Sequence, residues 1–226
     1  MKLTIFNGSP RRKASNTRIL INKFIEGYQQ QYRQEQEVQS EIYLKDLKKV
    51  EKHKQIYSDS ETVIVAFPLY ADSMPGIVKH FLEHIARPEM THPKSLGFIV
   101  QSGFPEAIHS VFVEKYLAKF AGRAGCSYLG TIIKGGGEGI RMSSEKRNRK
   151  LFDQFYRLGS IFAETGKFDE NIVRELKRPY TFPRQSQGII RMLMALGLFD
   201  SYWNKQLKKH GAFQKRFDQP FREIND

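Results

Sequence analysis

The sequence predicts a three-layer α/β/α sandwich built on a five-stranded parallel sheet. Apolar runs rich in β-branched residues alternate with stretches of helical periodicity through residues 1–165. The connections between the apolar runs are long enough for helical crossovers, which parallel strands require. A chain of 226 residues, 40% of them hydrophobic, is also long enough to bury one large core.

Five segments have the composition of buried strands, and a doubly wound sheet arranges five such strands in the order 2-1-3-4-5. Ligands bind such a sheet at the carboxyl ends of the strands that flank its switch point, here the first and the third strand. The predicted strands are Lys2–Asn7, Val38–Leu44, Thr62–Phe67, Leu96–Gln101 and Tyr128–Ile133.

Four stretches between and after these strands carry apolar residues at helical spacing. The predicted helices are Ser15–Tyr32, Pro75–Ile85, Ala107–Arg123 and Ser143–Thr165. Ser15 or Asn16 is suited to the N-cap of the first helix, and Pro75 to the first helical position of the second.

The scarcity of metal-binding side chains excludes several kinds of site. Cys126 is the only cysteine, so one chain holds no internal disulfide, zinc finger or cysteine-bound cluster. Among the six histidines, His80 and His84 have helical spacing but no third ligand nearby, so we predict no metal site.

The chain carries no targeting or membrane-spanning pattern. The opening MKLTIFNGSP is too short for a signal peptide, and no apolar run approaches the ~20 residues of a membrane span. We therefore expect a cytoplasmic protein without stable membrane insertion. The net charge of +13 attracts phosphate, nucleic acid, anionic lipid or an acidic partner, and it does not select among them.

The loop Gly8–Thr17 joins the first strand to the first helix and is rich in hydroxyl, amide and cationic groups. Backbone N–H groups and the helix dipole attract an anion at such a helix N-terminus. The loop has neither Walker A spacing nor Gly-x-Gly-x-x-Gly, so we predict a phosphate site of another kind. The alternative is that Ser15 or Asn16 only caps the helix. The predicted ligands are Ser9, Arg11, Ser15, Asn16 and Thr17.

The loop that follows the third strand is suited to hold a flat ring. Prolines at 68 and 75 stiffen it. Leu69 and Tyr70 can contact an aromatic system, while the backbone groups of Ala71 and Asp72 can bind its polar edge. The alternative for Tyr70 is an ordinary half-buried aromatic residue.

Together these loops resemble the flavodoxin-like NAD(P)H-dependent FMN reductases, a family that includes quinone and azo-dye reductases. The resemblance lies in Gly8-Ser-Pro-Arg…Ser15-Asn-Thr and in Pro68-Leu-Tyr…Met74-Pro-Gly…Lys79, and it spans residues 1–165. It implies a flavodoxin-like fold in which the first loop holds the FMN phosphate and the second holds the isoalloxazine ring. The residues implied at the ring are Pro68, Leu69, Tyr70 and Ala71, with Ser102, Gly103 and Phe104 from a third loop.

The same resemblance implies a function. NAD(P)H would be the co-substrate, a quinone, flavin, nitro or azo compound the small-molecule acceptor, and a homodimer the assembly. We predict no catalytic acid–base residue, since hydride transfer is the chemistry of the cofactor. One alternative is an FMN-binding electron carrier without nicotinamide turnover. Another is a nucleic-acid-binding protein, which the scattered distribution of Lys and Arg disfavours, so we expect no nucleic-acid partner.

The last quarter of the chain differs in pattern from the rest. We predict a flavin-binding domain over residues 1–166 and a helical extension over 167–226 that is not an independent domain. Within the extension, Lys167–Arg184 has the mixed charge and prolines of a linker or surface arm. The apolar segment Gly188–Trp203 has three interpretations: a dimer-forming or lid element, a core-packed helix, or an interfacial helix on anionic lipid.

Overall fold

The computed structural model describes residues 3–31, 39–87, 95–197 and 200–219. Its contacts divide the chain into two compact units, Met1–Thr181 and Phe182–Asp226. The first unit contains the predicted sheet, and the described part of the second contains two helices.

The sheet of the first unit has five parallel strands in the order β2-β1-β3-β4-β5. This confirms the predicted three-layer sandwich and its strand order. The strands are β1 (Leu3–Asn7), β2 (Gln39–Tyr43), β3 (Thr62–Pro68), β4 (Ser95–Gln101) and β5 (Ser127–Lys134).

Six helices of the first unit connect or follow these strands. They are α1 (Asn16–Gln31), α2 (Val50–Ser58), α3 (Gly76–Ile85), α4 (Ile108–Arg123), α5 (Glu145–Thr165) and α6 (Glu170–Leu176). The four predicted helices are present, and the ends of the predicted first helix and first two strands at residues 32, 2 and 38 lie outside the described residues. Pro75 is the N-cap of α3 rather than its first helical residue, because its ψ of 145° is extended.

Alternate residues of β3 face opposite sides of the sheet and belong to two separate hydrophobic cores. Val63, Val65 and Phe67 face one core, which α2, α3 and α4 cover. Ile64 and Ala66 face the other, which α1, α5 and α6 cover. Because both faces of β3 are buried, this strand is apolar from Val63 to Pro68, as is typical of central strands in parallel sheets.

Two glycines allow α1 and α5 to pack backbone against backbone. A Cβ atom at Gly27 in α1 would lie 1.8 Å from the carbonyl oxygen of Tyr156, and one at Gly159 in α5 would lie 1.9 Å from that of Phe24. Both distances are far below van der Waals contact. The contact is therefore reciprocal, and any side chain at either glycine would separate the two helices.

Helix α6 corrects the expectation that Lys167–Arg184 is a linker or surface arm. Phe168, Ile172 and Leu176 are buried in the core beside the sheet. Phe168 lies so close to β4 that a Cβ at Gly97 would come within 2.9 Å of its ring. The first compact unit accordingly runs through Thr181 rather than ending at the expected boundary after residue 166.

The residues after α6 complete the first turn of α4. Ala107 and Ile108 donate backbone hydrogen bonds to the carbonyl oxygens of Pro179 (2.9 Å) and Tyr180 (3.1 Å). These donors have no partner within their own helix. Lys177 adds an ion pair with Glu114 of α4 at 2.6 Å.

The second unit divides the apolar segment Gly188–Trp203 between two helices, α7 (Arg184–Ala195) and α8 (Asp200–Lys209). Gly197 has a φ of 68°, which lets the chain turn after α7. Among the described residues of both units, none belongs to a helix with the length and apolarity to cross a membrane.

We expect Gly159→Ala to lower the free energy of unfolding by about 1–3 kcal/mol, because the new methyl group overlaps the backbone of α1. Denaturant unfolding followed by circular dichroism measures the loss. Gly122→Ala is the matched control, since a Cβ at Gly122 in α4 meets nothing within 4 Å. It should leave stability unchanged or raise it by up to ~1 kcal/mol. Equal losses in both variants would contradict the packing argument.

A buried histidine in α2 packs against the core that α2, α3 and α4 cover. The His53 ring is 5% exposed and meets the rings of Phe6 and Phe81 edge-on at 6.3 and 6.4 Å. Burial lowers the pKa of His53, and Lys49 and Lys52 lower it further, while Asp46 opposes them. The imidazole is therefore neutral at physiological pH.

This lowered pKa predicts a pH dependence of stability. The unfolded chain takes up the His53 proton at its ordinary pKa of about 6.5, whereas the folded chain takes it up only at a lower pH. The free energy of unfolding should then fall as the pH drops below about 6.5. His53→Phe removes this contribution and keeps an aromatic ring. The variant should lose less stability than the wild type between about pH 7.5 and about pH 5.5 in denaturant titrations. Parallel losses would overturn the assignment.

Candidate functional site

A cleft of about 230 Å³ opens at the carboxyl ends of the central strands. It gathers ten of the twelve residues predicted to bind the cofactor; Thr17 and Ser102 are not in its lining. Gln101 and Glu138 line it as well. The lining residues are Ser9, Arg11, Ser15, Asn16, Pro68, Leu69, Tyr70, Ala71, Gln101, Gly103, Phe104 and Glu138.

The loop after β1 is held close to the sheet at the entrance of α1. Gly8 donates a backbone hydrogen bond to Ala66 at 2.8 Å, and a Cβ on Gly8 would lie 2.2 Å from Val78 Cγ2. Ser15 is the N-cap of α1, since its Oγ accepts from Arg18 N at 3.1 Å. This cap satisfies the N–H of Arg18, while the N–H groups of Asn16 and Thr17 have no acceptor within the helix and lie beside the cleft.

Thr17 belongs to the first turn of α1 and has a side-chain hydroxyl group without a hydrogen-bond partner among the described residues. Its side chain is fully buried, and its Oγ1 has no hydrogen-bond partner among the residues that the structure describes. A buried hydroxyl without a partner costs about 1–3 kcal/mol. An anion bound at the N-terminus of α1 would supply the missing acceptor, so this hydroxyl fits a phosphate site.

Asn16 is tied to the protein rather than left open to a ligand. Its Nδ2 donates to the carbonyl oxygens of Gly137 (2.8 Å) and Glu138 (3.2 Å), and its Oδ1 accepts from Arg141 N (3.2 Å). The side-chain amide thus fastens the start of α1 to the turn after β5. Its part in the site is to position that turn.

A strained turn presents Tyr70 at the mouth of the cleft. Tyr70 and Ser73 exchange backbone hydrogen bonds of 2.8 and 2.9 Å, and between them Ala71 and Asp72 have φ angles of 46° and 58°. Residues other than glycine rarely adopt this left-handed region. The turn leaves Tyr70 43% exposed while Leu69 below it is buried.

Phe104 supplies a second half-exposed ring from the loop after β4. It is 50% exposed and stacks on His109, with ring centroids 4.4 Å apart. His109 Nδ1 lies 3.2 Å from Asp72 Oδ1, which connects this loop to the turn that carries Tyr70. Ser102 Oγ donates to the carbonyl oxygen of Phe104 at 2.9 Å. Ser102 therefore supports the loop.

Glu138 lies in a glycine-rich turn after β5, and this turn is closely packed. A Cβ at Gly135 would lie 2.3 Å from the carbonyl oxygen of Pro105, and one at Gly137 would lie 2.2 Å from Gln101 Oε1. The packing places Glu138 on the cleft, 3.5 Å from Arg11. No local pattern signals this pair, because its members are far apart in the sequence.

A larger cavity of about 810 Å³ adjoins the same loop, and Arg11 lines both spaces. Glu41 lies in its wall, where it accepts from Asn7 Nδ2 at 2.6 Å and from the hydroxyl of Tyr43. Burial, together with this carboxylate, raises the pKa of Tyr43. The hydroxyl therefore stays protonated.

The two ends of the smaller cleft have different chemistry. One end offers the N-terminus of α1 and Arg11, with the buried hydroxyl of Thr17 behind the lining; the other end offers Tyr70 and Phe104. Hydrogen-bond donors suit a phosphate, and half-exposed rings suit a flat heteroaromatic group. The arrangement at the switch point is chemically suited to a ligand that carries both a phosphate and a flat ring.

Comparison with known proteins identifies the family. The sequence profile of a family described by its flavodoxin-like fold matches residues 1–155. This is more than half of the chain, and the chain belongs to that family. The comparison with curated proteins gives no significant match.

Solved structures share the fold at low sequence identity. An FMN-dependent NADH-azoreductase from Bacillus anthracis in complex with FMN is 14% identical, with a TM-score of 0.56 over 72% of this chain and 100% of its own. An NADPH-quinone reductase from P. pentosaceus is 16% identical, with a TM-score of 0.52 over 70% and 96%. The general stress protein 14 from Treponema denticola in complex with FMN is 12% identical, with a TM-score of 0.53 over 73% and 98%.

Proposed function

We propose that this protein is an FMN-dependent oxidoreductase that passes electrons from NAD(P)H to a small acceptor such as a quinone or an azo compound. One observation carries the proposal. A single cleft at the switch point of the sheet joins a helix N-terminus and an arginine, which suit a phosphate, to two half-exposed aromatic rings. The azoreductase and the quinone reductase that share the fold support the reaction class.

At the phosphate end, the protein supplies fixed dipoles and hydroxyl groups. Ser9, Ser15 and Thr17 are buried, so their positions are set by the fold and not by the ligand. The first-turn N–H groups of α1 add the positive end of the helix dipole. These groups would hold the dianion of the cofactor phosphate.

At the ring end, Leu69, Tyr70 and Phe104 would hold the isoalloxazine. The cleft is smaller than the ~300–1,000 Å³ of typical enclosed ligand pockets, and both aromatic side chains are only half buried. A ring held there keeps one face open to solvent. An open face is what a two-step exchange of electron donor and acceptor requires.

The cleft contains little that could act as an acid or a base. Its described lining offers three ionisable side chains, Arg11, Tyr70 and Glu138, and Arg11 and Glu138 pair with each other. Bound FMN would supply the redox chemistry itself. The residues of the chain then serve to bind the cofactor, orient it and shield its lower face. The homodimer expected from the sequence stays a prediction.

The proposal predicts a yellow protein whose flavin is reduced by a nicotinamide. Purified protein loaded with FMN should lose its oxidised-flavin absorbance when NADH or NADPH is added without oxygen, and should regain it when a quinone is supplied. Stopped-flow absorbance follows both steps. A carrier without nicotinamide turnover would bind FMN and keep the oxidised spectrum.

Because the buried hydroxyl of Thr17 has no hydrogen-bond partner among the described residues, we expect Thr17→Val to raise the stability of the ligand-free protein and to weaken FMN binding. The ligand-free variant should gain about 1 kcal/mol in the free energy of unfolding, because the buried oxygen is gone. FMN should bind roughly 10- to 100-fold more weakly, because a hydrogen bond to a charged phosphate is lost. Riboflavin, which has no phosphate, should bind equally well to both proteins. Fluorescence titration measures both affinities.

Ser110→Ala is the matched control for this substitution. Ser110 Oγ in α4 is also buried without a hydrogen-bond partner among the described residues. Thr17 directly follows the lining residues Ser15 and Asn16, whereas Ser110 lies in a different helix. Its removal should likewise raise the stability of the ligand-free protein but leave FMN affinity unchanged. A Thr17→Val protein that binds FMN as tightly as the wild type would remove Thr17 from the phosphate site.

A further inference from the structure

The second compact unit exposes an apolar stripe along α7. Ile189, Met192 and Leu196 are 57%, 56% and 66% exposed. They recur at intervals of three and four residues, with Leu193 between them, so they lie on one face. A helix that turns such a stripe toward solvent has an apolar binding surface.

Helix α8 separates apolar and cationic side chains on opposite faces. Trp203, which is 65% exposed, and Leu207 lie four residues apart on one face. Lys205, Lys208 and Lys209 lie on the opposite face, and all three are exposed. The combination of an aromatic–aliphatic face with a lysine face is typical of helices that lie in a lipid interface.

Cations and aromatic rings continue to alternate after α8. Lys208 Nζ lies 4.9 Å from the ring centroid of Phe213, and Arg216 Cζ lies 4.1 Å from the same centroid and 4.6 Å from that of Phe217. Phe217 is 79% exposed. The cations thus stand beside rings that solvent can reach.

The net charge of the second unit distinguishes between two possible partners for its apolar surface, a second copy of the chain and an anionic lipid. Phe182–Asp226 contains eight Lys and Arg against four Asp and Glu, a net charge of +4. A two-fold dimer through this unit would place the same basic patch against itself, which like-charge repulsion disfavours. An anionic lipid surface is complementary to both features, because it takes up apolar side chains and attracts each Lys or Arg.

We propose that α7 and α8 form a membrane-surface element that docks the protein onto anionic lipid. The apolar side chains of Ile189, Met192, Leu196 and Trp203 enter the boundary between headgroups and acyl chains. Lys205, Lys208 and Lys209 contact the phosphates of the headgroups. The inference does not depend on the flavin chemistry, because it concerns residues outside the cleft.

Trp203 is the only tryptophan of the chain and therefore reports directly on docking. Its emission should shift to shorter wavelength when full-length protein is mixed with vesicles of equal parts phosphatidylglycerol and phosphatidylcholine. Vesicles of phosphatidylcholine alone should give little or no shift. High salt should reverse the binding, because exposed charges are screened.

Two variants separate the contributions of charge and apolar surface. Replacing Lys205, Lys208 and Lys209 together by Gln should weaken vesicle partitioning about 100-fold, or roughly fivefold per lysine. Met192→Gln should weaken it while leaving the salt dependence intact. Both changes lie on exposed surfaces, and circular dichroism together with unchanged flavin content verifies that the variants fold.

Three outcomes would overturn the proposal. The first is no Trp203 shift with either kind of vesicle, and the second is an equal shift with both kinds. The third is a dimer in the absence of lipid, with Trp203 emission already shifted, that dissociates in Met192→Gln; a second copy would then cover the stripe. Failure of nicotinamide to reduce the flavin would leave all these measurements unaffected.

Discussion

The backbone contact between α1 and α5 is the constraint on which the site depends. Gly27 and Gly159 let the two helices approach until a side chain would overlap a carbonyl group. This contact fixes the axis of α1, and thereby the place where its N-terminus meets the sheet. A phosphate site made of backbone N–H groups is only as well positioned as the helix that carries them. The packing of α1 against α5 on one face of the sheet therefore determines where the N-terminus of α1 lies at the carboxyl ends of the strands.

The loops around the cleft are tied to one another as well as to the sheet. Asn16 joins the start of α1 to the turn after β5, and Asp72 and His109 join the loops that carry Tyr70 and Phe104. The left-handed φ of Ala71 and Asp72 indicates that the fold holds this turn against its local preference. Such cross-linking leaves little conformational freedom to be lost when a ligand binds.

The parts of the structure that sequence reasoning could predict are those with local signals. The central strands β1, β3 and β4 are buried and mostly apolar, so their composition predicted them. The strand order followed from the doubly wound arrangement of five strands with helical crossovers. Helix α6 was missed because charged residues and two following prolines mask a short apolar pattern, Phe168, Ile172 and Leu176. The place of Glu138 on the cleft could not be predicted, since it depends on the close contact of Gly135 with Pro105. Non-local packing of this kind leaves no periodic trace in the sequence.

The structure also ranks the groups that would hold a phosphate. Arg11 is the obvious candidate from the sequence, yet its side chain is 57% exposed and already lies 3.5 Å from Glu138. An exposed ion pair of this kind contributes at most about 1 kcal/mol, and salt screens it. The hydroxyl of Thr17, in contrast, is buried and has no hydrogen-bond partner among the described residues. Under the proposed function, specificity for a phosphate would depend chiefly on neutral groups that the fold has already desolvated, and the arginine would add attraction over distance.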